Sequence, residues 1–168
     1  MKPIYLILFS LCFSVMAEAQ NLQYFTTDTI SPRIVYLKLK SEGDWSKPML
    51  GEWHWRNDSE MIKNMEKDIF KTAFHGIDWK QIPALLKVGV FFRFDKTLHI
   101  DYVHFVIYTH SFPREDLVPL EKNFLDYTRL LKKVDLSPYL YIDNPSKFEC
   151  GIGRFGLIHE KSPVWNEK

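Results

Sequence analysis

The chain has 168 residues, 46% of them hydrophobic and 26% charged, and its net charge is +1. Lys and Arg do not gather on one segment, so the broad electrostatic footprint of a nucleic-acid binder is absent. The two cysteines are Cys12 and Cys150. Cys12 falls in a leader that is expected to be removed, which excludes an intramolecular disulfide and leaves stability to packing.

That leader opens the chain. Lys2 precedes an apolar stretch from Ile4 to Val15, broken by Ser10 and Ser14, and Ala17-Glu18-Ala19 follows. These are the parts of a secretory signal peptide over residues 1–19. The stretch is shorter than the ~20 residues a spanning helix needs. Cys12 after Leu11 is a poor lipidation site. The expected product begins near Gln20, is periplasmic or extracellular, and has no stable membrane anchor after cleavage. Residues 20–168 suffice for a single domain.

Residues 20–32 are polar and end at Ser31-Pro32, which reads as a flexible lead-in. Arg33 to Lys40 alternates, with Val35, Leu37 and Leu39 on one face. Met49 to Arg56 alternates again, with Trp53 and Trp55 together, and the two segments predict a hairpin. Asn57-Asp58-Ser59-Glu60 reads as a helix start. Ile62, Met65, Ile69, Phe70 and Ala73 then give helical spacing, ended by Gly76.

Pro83 to Lys87 reads as a short helix closed by Gly89. Val90, Phe92 and Phe94 alternate with Phe91, Arg93 and Asp95, and Asp95-Lys96-Thr97 predicts a turn. Opposing Phe94 with Leu98, Phe92 with Ile100 and Val90 with Tyr102 puts all six on one face. Asp116 is a good N-cap for a second helix, whose stripe is Leu117, Leu120, Phe124, Tyr127 and Leu131. Leu136 to Lys147 is expected to be irregular. A final strand has Phe148, Cys150, Ile152 and Ile158 on one face, and Gly151, Gly153 and Gly156 suggest a bulge or close packing. The fold expected is α+β: a small antiparallel sheet with two principal helices packed on one face.

From Ile82-Pro83 before Gly89, through the hairpin Val90 to Tyr108 and the helix opening at Asp116-Leu117, to the strand Phe148 to Ile158, the pattern resembles the C-terminal domain of TonB and its relatives. That resemblance covers residues 82–158 and implies a periplasmic α+β interaction module. Lys96-Thr97 stands where the family has glycine in the hairpin turn. The dozen residues between Ala19 and the first strand reach at most ~45 Å, a poor periplasm-spanning arm.

No phosphate loop, dinucleotide fingerprint or Gly-x-Ser-x-Gly occurs, so no catalytic residue and no cofactor is assigned. Gly151-Ile152-Gly153-Arg154-Phe155-Gly156 spells a glycine string but opens no helix. Cys150 reads as a small buried hydrophobe. Trp53 and Trp55 are a candidate stacking platform for a ligand, or else core cover. The leading expectation is an exported, non-catalytic binding module. It would take an envelope protein or peptide on a sheet edge, with Ile152 and Arg154 on the final strand as contacts. The rival is a small metal-dependent or other hydrolase using surface histidines, His99 with Asp101 and a further histidine.

Overall fold

The structure is a computed structural model and describes residues 22–31, 34–43, 51–56, 59–77, 87–108 and 117–158. Its elements follow as β1 (Phe25–Ser31), β2 (Ile34–Leu39), β3 (Trp53–Trp55), α1 (Ser59–Ala73), β4 (Lys87–Asp95), β5 (Ile100–Tyr108), α2 (Glu121–Leu131), β6 (Leu140–Ile142) and β7 (Cys150–Ile158). The fold is α+β. Five strands form one antiparallel sheet in the order β1-β2-β5-β4-β7, and β3 pairs with β6 in a second, two-stranded sheet.

The inner face of the large sheet is apolar because alternate residues of each central strand are apolar. Val35 and Leu37 of β2, Val90, Phe92 and Phe94 of β4, and Val103, Phe105 and Ile107 of β5 are all buried in one core. α2 lies over β5, with Phe105 packed on Phe124 and Tyr127 at ring-centroid distances of 4.8 and 5.8 Å. The expected stripe is buried along its length, from Leu117 to Leu131. α1 buries Met65, Ile69, Phe70 and Ala73. It leans on α2 through Phe74, whose ring meets Phe124 edge-on at 5.5 Å. Asn123 also donates a hydrogen bond to the last carbonyl of α1, on Ala73, at 2.8 Å. Gly76 has φ +82°, the left-handed conformation that ends a helix.

Several expectations are corrected. Residues 25–31 are not lead-in but the outer strand β1, because Phe25 anchors in the core and the polar Thr and Asp residues are tolerable on a border strand. β2 and β3 do not pair with each other. β2 lies between β1 and β5, and β3 finds β6, so alternation revealed the strands but not their partners. Lys87 opens β4 instead of closing a helix. α2 starts at Glu121, after a turn that holds Pro119, with no side-chain cap. The expected signal peptide, Asn57 cap, remainder of the short helix from Pro83 and Asp116 cap lie outside the described residues.

The central hairpin departs in register. Its three-residue loop lies one position further along than expected, with Asp95 facing His99 through an amide-to-carbonyl bond of 3.1 Å and Leu98 at φ 63°. Phe94 therefore opposes Ile100, and Arg93 opposes Tyr102. Asp101 is the extra residue between them, a β-bulge that reverses the alternation of β5. Val103 and Phe105 thereby face the core, while Tyr102 and His104 take the outer face. His104 stacks there on Phe91 at 5.2 Å with a 4° interplanar angle.

Candidate functional site

β7 borders the large sheet, as expected for the final strand, and its backbone directions follow from its neighbours. The Val103 amide donates to Glu42 Oε2 at 3.2 Å, on the β2 side, and the Asp95 amide turns toward β5. Strand alternation then directs the Phe92 and Phe94 backbone groups toward β7, where they face Gly153 and Gly151. The amides and carbonyls of Ile152 and Arg154, one residue out of phase, point away from β4 to the border. Among the described residues no strand pairs with that border.

The glycines of β7 serve the interior. A Cβ on Gly153 would lie 2.2 Å from Phe92 Cζ, and one on Gly151 would lie 2.4 Å from Phe94 Cζ. Both rings lie across the glycines, as aromatic residues do over glycine on neighbouring strands. Gly151, Gly153 and Phe155 thus line the inner face, and Cys150, Ile152 and Arg154 the outer one. Phe148 packs inside on Phe94 at 5.8 Å, so it does not share a face with Cys150 and Ile152. The register shift between Val88 and Val90 leaves Gly156 and Leu157 as the bulge. Cys150 is buried, and the glycine string lies on a strand, not at a helix start. Arg154 is exposed, with its guanidinium carbon 5.2 Å from the Phe91 ring centroid.

Trp53 and Trp55 are core cover. Their centroids are 5.3 Å apart but their planes meet at 84°, which leaves no slot for a stacked ligand. Trp53 packs on Phe94 at 5.2 Å and Trp55 on Phe92 and Phe155, each at 6.4 Å. The small sheet therefore covers the β4–β7 half of the core that α2 leaves open.

The other face of the small sheet carries Glu52, His54, Tyr141 and Asp143. Trp53 pairs with Ile142 and His54 with Tyr141, and the Asp143 amide donates to the Glu52 carbonyl at 3.3 Å, which continues the ladder. His54 Nε2 and Asp143 Oδ2 are 2.9 Å apart, and the His54 and Tyr141 rings lie 5.5 Å apart. One ligand atom from each of Glu52, His54 and Asp143 falls within 4.8 Å of the others. Strand alternation alone puts His54 on the face opposite Trp53 and Trp55, but it does not disclose the partners, because Asp143 is 89 residues away. The carboxylate two residues before His54 was the available signal.

Of the pair His99 and Asp101, the carboxylate is already engaged. Asp101 Oδ1 and Oδ2 each accept a hydrogen bond from Arg93, from Nε and Nη2, both at 2.9 Å. That hydrogen bond, with the attraction of opposite charges, raises the Arg93 guanidinium against the effect of burial. His99 instead bridges by backbone to Asp135. A cleft of about 380 Å³ lies between Tyr24, Lys40, Leu125 and Lys132. Its lysines are engaged, Lys40 with the Leu22 carbonyl and Lys132 with Glu42.

No protein-family model and no curated protein matches the chain. Among solved structures, it is similar to the crystal structure of a DUF5043 family protein from Bacteroides uniformis ATCC 8492, at 12% identity and a TM-score of 0.48. The match covers 81% of this chain and 91% of that one. Among the described residues no helix is long and apolar enough to cross a membrane.

Proposed function

We propose that the protein is an exported, non-catalytic interaction module that takes an extended peptide of an envelope protein as an added strand along β7. The observation that carries this reading is the border position of β7, whose Ile152 and Arg154 backbone groups face outward. A peptide strand completes such groups by main-chain hydrogen bonds, and its alternate side chains give specificity. Arg154, held over Phe91, supplies the cation for a carboxylate at the facing position. Export rests on the leader through Ala19.

Ile152→Pro tests the reading. Proline is tolerated on a border strand where its amide would face outward, so the ladder to β4 stays whole while the donor offered to a peptide is lost. Capture from the native cell envelope should fail with this variant and persist with Ile152→Val. Unchanged capture by a variant folded by circular dichroism would show that β7 is not the binding surface. The mass of the exported chain should correspond to a start near Gln20, and a product retaining Met1 overturns the export part.

A further inference from the structure

We infer that Glu52, His54 and Asp143 form a site for one divalent transition ion of the Zn²⁺ class on the outer face of the small sheet, a site independent of peptide binding at β7. The donors are one imidazole nitrogen and two carboxylates, a mixed set that suits zinc-class ions better than magnesium or calcium, which prefer oxygen alone. Spacing agrees. Ligand atoms bound at about 2.1 Å sit roughly 3.0 Å apart when adjacent at right angles and about 3.4 Å apart at a tetrahedral angle. His54 Nε2 and Asp143 Oδ2 are already at 2.9 Å, and all three ligand atoms lie within 4.8 Å, so Glu52 needs only a side-chain rotation.

The ladder gives an independent reason for a cation here. Glu52 and Asp143 stand directly opposite each other on neighbouring strands, and like charges so placed are destabilising. The strands themselves are three residues each, too short for a two-stranded sheet to hold by its own hydrogen bonds. An ion bound to all three side chains would cancel the repulsion. It would also clip β3 to β6, and with them Trp53 and Trp55 to the core. All three side chains are exposed, so water or a further ligand completes the coordination shell.

The test uses the full mature chain, freed of metal with a chelator, and Zn²⁺ as the probe. Isothermal titration should show one equivalent bound, and the melting temperature should rise with added Zn²⁺, because a ligand that binds only the folded state stabilises it. His54→Ala and Asp143→Asn should each weaken binding at least tenfold and abolish the rise in melting temperature. Asp143→Asn keeps the size of the side chain and a hydrogen-bonding oxygen, so its metal-free fold by circular dichroism should match the parent. Co²⁺ should give a visible absorption band that His54→Ala removes. Absence of stoichiometric binding, binding unchanged in both variants, or tighter binding of Ca²⁺ than of Zn²⁺ would each overturn the inference.

Discussion

The ring of Phe92 occupies the space a side chain on Gly153 would need, with Phe92 Cζ 2.2 Å from that Cβ position. Phe92 cannot move aside, because Phe155 at 4.7 Å and Trp55 at 6.4 Å hold it and it is fully buried. Gly153→Ala should therefore destabilise the protein by about 1–3 kcal/mol, the usual cost of overpacking a core. Chemical denaturation measures it. A change below about 0.5 kcal/mol would mean that the ring and the strand accommodate a methyl group.

Glu121 ties the first strand to α2. Its carboxylate accepts hydrogen bonds from the amides of Gln23 at 3.0 Å, Tyr24 at 2.6 Å and Phe25 at 3.2 Å, while the residue is only 8% exposed. Charge-assisted bonds of this kind are worth about 1.5–3 kcal/mol, and a donor left unpaired costs more than the bond it made. Glu121→Ala should cost about 2–4 kcal/mol by the same reasoning. Amide exchange should quicken first at residues 23–25, with β4 and β5 still protected. Equal loss of protection across the sheet would place the role of Glu121 elsewhere.

Sequence and structure agree where one periodic face is buried. The stripes of α1 and α2 and the alternation of Val90, Phe92 and Phe94 reported their burial directly, since each needs only local spacing. Non-local pairing carried no such mark. β1 is too polar to announce itself, and β3 shows two tryptophans but not the Phe92 and Phe94 rings they cover. The bulge at Asp101 and the left-handed turn at Leu98 carry no glycine, so the register of β5 was not legible. The glycines of the final strand suggest a border open to another backbone; β7 does border the sheet, but its glycines answer to inner rings. The Glu52, His54 and Asp143 group needs a register across a distant ladder, which one strand cannot disclose.

His104 gives the protein a window of acid sensitivity. Burial lowers its pKa from 6.5 to about 4. Above pH 6.5 the imidazole is neutral in both folded and unfolded chains and contributes no pH dependence. Between 6.5 and about 4 the unfolded chain takes up a proton that the folded one refuses, so stability falls as pH drops. Below that range both states are protonated and this loss ends. The slope for one proton cannot exceed about 1.4 kcal/mol per pH unit. Asp95 and Asp135 act lower. At Asp95 burial is outweighed by the hydrogen bonds from Thr97 and from the His99 amide acting together, and those from Ser137 act at Asp135, holding both below 3.8, so their loss comes at more acid pH. Stability measured from pH 7 to 4 should slope downward in the parent and flatten in His104→Phe. An equal slope in both would assign the window to other groups.

Tyr127 should be better as phenylalanine. It is 0% exposed, and its hydroxyl has no hydrogen-bond partner among the described residues. Burial pushes the phenol well above its usual range, with the Glu66 charge adding to the shift, so the group stays neutral at any ordinary pH. A buried hydroxyl without a partner has given up its hydrogen bonds to water and regained none, a cost of about 1–3 kcal/mol. The ring itself is well used, packed on Phe105 at 5.8 Å and on Phe74 at 6.4 Å. Tyr127→Phe keeps that ring and removes only the oxygen. Two terms oppose each other: the desolvation cost is relieved, and a void the size of one oxygen loses its contacts. The first is the larger, since the void is smaller than a methyl group and such a gap costs less than about 1 kcal/mol. Denaturant unfolding at neutral pH should therefore show Tyr127→Phe more stable than the parent, by about 0.5–2 kcal/mol, with an unchanged denaturant dependence. Tyr127→Leu, which loses the ring, should be destabilised. A Phe variant less stable than the parent would mean that the hydroxyl holds a partner, a buried water being the first to look for.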